Sequence, residues 1–279
     1  MALTKKEKLI GFFAFSAILA FLIGVVAKSV GLGAKGFDAP AVLSQYFFYA
    51  NGVAFLIIAS LFFIERLIFK GDSKYGDGLA YYHTGELPSI KTAIFDNPFR
   101  LFLGSAIIFS LFGLFTGLNQ TTFTGIGSLE QQFTKTGQLT FSAILIPISE
   151  NLDAAAVIAF TIFITRFFAR KYNWTKLNFQ TTAIFAVVIL VGVFGIINHT
   201  LRYQISDIAL ATVFFFWAIG GLITVLTGSF IPFWVMHISN NLFFDLTKSF
   251  SNDVVITYTI GIILLMTLMF GLTFIKKGK

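Results

Sequence analysis

Residues Thr182–Leu201 read TAIFAVVILVGVFGIINHTL, an apolar run with no acid, Lys or Arg and a single late histidine. Twenty residues of α-helix rise about 30 Å, the thickness of a bilayer's hydrocarbon core. A transmembrane strand would be about half as long and would alternate polar with apolar residues, which this run does not. It is a membrane-crossing helix. Similar runs occupy 9–27, 46–69, 101–118, 139–169, 207–226, 229–248 and 254–275. The expected fold is all-α: a polytopic membrane protein with about eight transmembrane helices, forming a single transmembrane domain over 1–279. Composition agrees, with mean hydropathy +0.84, 56% hydrophobic and only 12% charged residues. Soluble chains carry about 25% charged residues. A cytosolic enzyme, a nucleic-acid-binding domain and a disordered chain are therefore excluded. Cysteine is absent, which removes disulfides, thiolate metal sites and cysteine nucleophiles.

The net charge of +7 has a topological cause, because Lys and Arg concentrate in loops on the cytoplasmic side of membrane proteins. Basic residues group at the amino terminus (Lys5, Lys6, Lys8), the carboxy terminus (Lys276, Lys277, Lys279), the loop after the second run (Arg66 to Arg100) and the segment after the fourth (Arg166 to Lys176). An even number of helices with both termini cytoplasmic fits this distribution, in the plasma membrane of a prokaryote. The first run, about 19 residues, exceeds the usual core of a signal peptide and is expected to be a retained helix. The fourth run is over-long and is expected to tilt or to break near Pro147. Two longer loops, 70–100 and 119–138, are polar, and the Gly/Thr-rich second one suits a mobile lid.

Ionisable groups inside such runs are costly unless paired or wetted, so they mark candidate functional positions. They are Glu150 and Asp153 in the fourth run, His199 in the fifth, and His237 in the seventh, where Asn240, Asn241 and Asp245 follow. His237 and Asn241 are four apart and share a helix face, as do Glu150 and Asp153, three apart. A carboxylate with an imidazole can take a proton from water. A second imidazole with a carboxamide can donate to a developing oxyanion. Two histidines and a glutamate (Glu150, His199, His237) would also make a workable zinc set. Asn240 and Asp245, taken singly, are better read as interhelical hydrogen-bond partners.

The stretch TGSFIPFWVMHISNNL, Thr227–Leu242, resembles the last motif of the CAAX-protease and bacteriocin-processing (CPBP, or Abi) family, T-G-S-[LI]-x-P-x-[IL]-x-x-H-x-x-x-N. Gly220 and Gly221 precede it, as in the family. The middle motif, F-x-x-x-H, meets Phe194 and Asn198 in register, with His199 one residue later. The first motif, E-E-x-x-x-R, keeps Glu150 but has Asn151 for the second Glu and Ala155 for the Arg. The resemblance covers about 145–245, with a catalytic-like region at 139–248. It implies an intramembrane endopeptidase without a cofactor, cutting a membrane-associated peptide or protein substrate. It assigns Glu150 and His199 to water activation and His237 and Asn241 to the oxyanion, with Asp153, Asn198 and Asn240 in support. The altered first motif fits equally a catalytically inactive relative acting as a scaffold, immunity factor or partner subunit. A proton- or cation-coupled transporter is a further reading. Reporter fusions at Lys279 and at residue 125 should report opposite faces of the membrane; the same face for both would refute the helix count or the orientation.

Overall fold

The computed structural model describes residues 5–35, 56, 97–119, 146–202 and 207–275. Seven long helices lie among them and no strand. They are α1 (Lys5–Lys35), α2 (Pro98–Asn119), α3 (Ile146–Lys171), α4 (Lys176–Arg202), α5 (Asp207–Thr227), α6 (Ile231–Ser249) and α7 (Asn252–Ile275). Seven of the eight expected runs thus correspond to these helices. The run at 46–69, apart from helical Leu56, most of the expected loops 70–100 and 119–138, and the first residues of the run at 139–169 lie outside the described residues. Pro147 falls in the first turn of α3, where a missing N–H costs nothing.

Four of the described helices are long and apolar enough to cross a membrane, at Pro98–Leu118, Lys176–Thr200, Leu210–Thr227 and Asn252–Ile275. They leave large apolar side chains uncovered, among them Ile108, Leu111 and Phe115 on α2, Phe185 on α4, and Leu264, Leu265 and Leu268 on α7. Water would not tolerate that much exposed hydrocarbon, but lipid does. The chain is an integral membrane protein. Helices α3 and α6, which carry most of the polar candidates, are not among those four.

Local chemistry sets the helix ends. Asn97 caps α2, its Oδ1 accepting from the backbone N–H of Phe99 at 2.8 Å and of Arg100 at 3.4 Å, with Pro98 first in the helix. At the end of α3, Asn173 takes a left-handed φ of 50° and Trp174 N–H donates to the Ala169 carbonyl at 2.8 Å, the long bond of a Schellman turn. Between α5 and α6, Gly228 is left-handed (φ 62°) and donates to the Thr224 carbonyl at 2.9 Å. Ser229 Oγ then accepts from Ile231 N–H at 3.2 Å, and Pro232 sits in the first turn of α6. The T-G-S-x-x-P stretch is therefore a turn-building sequence in its own right. Thr161, Thr165, Thr224, Thr227 and Thr259 donate to carbonyls four residues back, so each hydroxyl is satisfied within its own helix.

The chain divides into two compact units. The first holds α1, nearly all of α3, α4 and α5. Here α1 and α3 run antiparallel: Gly11 abuts the Phe163 ring, and one turn on, Phe15 meets Phe160 with centroids 5.8 Å apart. Helices α4 and α5 pack through glycines, with the Trp217 ring laid on Gly195, Phe214 on Gly192, and Gly221 against Val187 and Val191. The second unit holds α2, α6 and α7. Its closest crossing is between α2 and α6. A Cβ added at Gly113 would lie 2.7 Å from the Ser239 carbonyl oxygen, and one at Gly117 would lie 2.8 Å from that of Phe243. These pairs step in the same direction, so α2 and α6 are parallel. Arg100 reaches from the start of α2 to the end of α7, donating to Thr273 Oγ1 at 3.0 Å and to the Thr273 carbonyl at 2.6 Å. Its guanidinium lies 4.1 Å from the Phe274 ring centroid, so α7 returns antiparallel to α2.

The lipid-exposed helix α7 also carries glycines with open space around them, Gly261 and Gly271, which supplies an internal control. Gly113→Ala should lower stability by about 1–3 kcal/mol through overpacking against backbone. Gly261→Ala, where an added Cβ meets nothing within 4 Å, should leave stability unchanged or raise it. Unfolding in detergent measures both, and equal effects would mean the α2–α6 contact is not close-packed.

Candidate functional site

The residues singled out in the sequence are divided between the units. Glu150, Asn151, Asp153, Asn198 and His199 belong to the first, and His237, Asn240, Asn241 and Asp245 to the second.

In the first unit the polar group is deeply placed. Glu150 is 4% exposed, Asp153 4%, Asn198 1% and His199 8%, and Asn151 is fully covered. Glu150 and Asp153 occupy the second turn of α3, where Ala154, Ala155 and Ala156 bring neighbouring surfaces close to the backbone. The Arg of the family's first motif would stand at Ala155, which is itself 2% exposed, so an arginine there would need a different local packing. On α4, His199 Nδ1 lies 2.9 Å from the Gly195 carbonyl oxygen. A carbonyl only accepts, so Nδ1 carries the proton and donates, and in the neutral ring Nε2 is then the basic nitrogen. The imidazole meets Trp217 edge to face, with centroids 5.8 Å apart at 69°. Trp217 is fully buried and also packs on Phe194 at 5.4 Å. Gly195 thus does two things: its carbonyl orients the His199 ring, and its missing side chain admits the indole that backs that ring.

Among the described residues of this unit, the buried polar atoms without a hydrogen-bond partner include Asp153 Oδ1 and Asn198 Nδ2, one an acceptor and the other a donor. Such orphans are rare in interiors and suit a place that receives a polar ligand or water. Neither Trp217 nor Gly195 was singled out in the sequence. The signal was there in Gly195, three residues before Asn198 and four before His199, with Gly192 three residues earlier.

In the second unit, α6 shows separate faces. Ser239, Asn240, Phe243 and Thr247 turn to α2, where the Thr116 hydroxyl lies 3.1 Å from Asn240 Oδ1 and the Thr247 hydroxyl is shared between the Phe243 carbonyl at 2.9 Å and the Gly117 carbonyl at 3.1 Å. His237 and Asn241 stand about a third of a turn around the helix from that face. His237 is 3% exposed. Asn240 Nδ2 donates to Asn241 Oδ1 across 3.5 Å, a long bond. Thr116, Asn240 and Asn241 form a relay from α2 that turns the Asn241 oxygen toward Asn240 and its NH₂ away. Asn240 therefore has the interhelical partner expected of it and also orients a candidate oxyanion donor. Among the described residues no three His, Cys, Asp or Glu side chains gather to hold a metal ion. The ligands of the zinc alternative, Glu150, His199 and His237, are divided between the two units.

No family model, no curated protein and no solved structure matches this chain.

A double-mutant cycle tests the relay. Thr116→Val and Asn240→Ala should each destabilise the protein, and the pair should cost less than the sum, with a coupling of about 0.6 kcal/mol, typical of interhelical hydrogen bonds in lipid. Strict additivity would show that the two side chains do not communicate.

Proposed function

We propose that this protein is an intramembrane endopeptidase of the CAAX-protease and bacteriocin-processing type. Eight helices with both termini cytoplasmic would carry its site. The observation that carries this reading is His199, a buried histidine whose Nδ1 lies 2.9 Å from the Gly195 carbonyl oxygen, a contact that favours the tautomer with Nε2 as the basic nitrogen. Glu150 takes a proton from a water molecule, and His199 holds that water through Nε2. The hydroxide so formed adds to the carbonyl carbon of the scissile peptide bond. His237 and the Asn241 NH₂ donate to the oxyanion. The proton held by Glu150 passes to the departing amine as the C–N bond breaks. Substrate is a peptide or protein already in the membrane, since lipid-embedded helices offer no route for a bulky soluble chain.

The changed first motif, with Asn151 and Ala155, supports a second reading, a non-catalytic relative serving as a membrane scaffold or partner subunit. Purified protein incubated with membrane-tethered peptides separates the two. Under the first reading Glu150→Gln and His199→Ala each lower cleavage by at least about 10²-fold. His237→Ala and Asn241→Ala each cost about 10²–10³-fold. Cleavage indifferent to all four substitutions, or absent from the unaltered protein against a broad peptide set, would favour the second.

A further inference from the structure

One end of the first unit gathers positive charge from two segments far apart in sequence. The antiparallel register of α1 and α3, fixed by Gly11 on Phe163 and Phe15 on Phe160, brings the first turns of α1 level with the last turns of α3. Lys5, Lys6 and Lys8 stand on the one, Arg166, Arg170 and Lys171 on the other, and Lys176 opens α4 across the short turn. Across 5–8 and 166–176 the single acidic residue is Glu7, against seven cations. Lys8, Lys171 and Lys176 are exposed and Arg170 is half-exposed.

The same end presents bulky apolar groups. Phe167, Phe168, Tyr172 and Leu177 are exposed. Phe168 and Tyr172 stack at 6.1 Å, and the Lys171 ammonium lies 5.3 Å from the Tyr172 ring centroid. Aromatic rings beside cations are the composition of a membrane–water interface, where rings sit at headgroup depth and ammonium groups meet phosphate. The turn between α3 and α4 is closed by the left-handed Asn173 and the Trp174-to-Ala169 bond. The exposed Lys8, Lys171 and Lys176, on that turn and the neighbouring helix end, suit a concentrated anionic partner.

We propose that this end of the first unit is a binding surface for anionic phospholipid headgroups of the adjacent leaflet, held by Lys8, Arg170, Lys171 and Lys176 with Phe168 and Tyr172 seated among the acyl chains beneath. It stands independently of the protease reading. Charge complementarity selects the partner: phosphate esters are the abundant anions at that depth, and the exposed rings exclude a purely aqueous one.

The full-length protein in vesicles of phosphatidylcholine containing a minority of phosphatidylglycerol tests this. Lipid retained on the protein after mild detergent extraction is read by native mass spectrometry. Phosphatidylglycerol should be enriched roughly fivefold over its share of the vesicle. The enrichment should fall to none in Lys8→Gln/Arg170→Gln/Lys171→Gln/Lys176→Gln. It should persist in the Lys8→Arg/Lys171→Arg/Lys176→Arg variant and in excess inorganic phosphate. If the fourfold variant does not fold, Lys171→Gln/Lys176→Gln, confined to exposed side chains, should still halve the enrichment. Retained lipid of bulk composition would overturn the proposal. Enrichment unchanged by the Gln substitutions, or abolished by free phosphate, would do so too.

Discussion

Helices in hydrocarbon gain little from hiding apolar surface, because the lipid is as apolar as they are. What holds them together is close approach of backbone to backbone or of ring to backbone, and in this chain glycine makes it available. Gly113 and Gly117 let α2 lie on the carbonyls of α6, and Gly192 and Gly195 take the rings of Phe214 and Trp217. Each contact is also where a polar group is managed. Thr116 and Thr247 bond across the first crossing, and His199 is oriented by a carbonyl at the second. The candidate chemistry therefore depends on the glycines more directly than on any ion pair.

That dependence shapes what could be read beforehand. The described helices were legible from continuous apolar runs, four of them long and apolar enough to cross a membrane, and several ends from Asn97-Pro98, Gly228 and Pro232, since capping and turn chemistry are local. The T-G-S-x-x-P stretch carried both a resemblance and a turn. Those residues serve the turn in their own right, so their presence speaks for fold more strongly than for catalysis. His237 and Asn241 sharing a face followed from helical spacing alone. Asn240 as an interhelical partner was expected, but Thr116 as that partner was not, because pairing between helices 124 residues apart is not written in either one.

The grouping of the described helices into two units was not legible either, nor was Trp217 as the wall behind His199. Both arise from which helix faces meet, and hydropathy is silent on this when nearly every face is apolar. Polar positions were the better guide. Glu150, Asp153, Asn198, His199 and His237 are all buried, where each ionisable or amide group costs stability unless it has a use or a partner. The orphaned Asp153 Oδ1 and Asn198 Nδ2 keep part of that cost unrelieved, as sites that bind polar ligands do.

The proposed hydrolysis requires that Glu150, His199, His237 and Asn241 serve a single reacting centre. Because the chain has no cysteine, pairs of them can be introduced without background and joined in native membranes by a short bifunctional thiol reagent. Thr116→Cys/Asn240→Cys, whose parent side chains are 3.1 Å apart, calibrates the yield. His199→Cys/His237→Cys should cross-link within the same chain at a comparable yield. No cross-link from that pair, in protein that cross-links the calibrating pair normally, would contradict a shared site and with it the proposed hydrolysis.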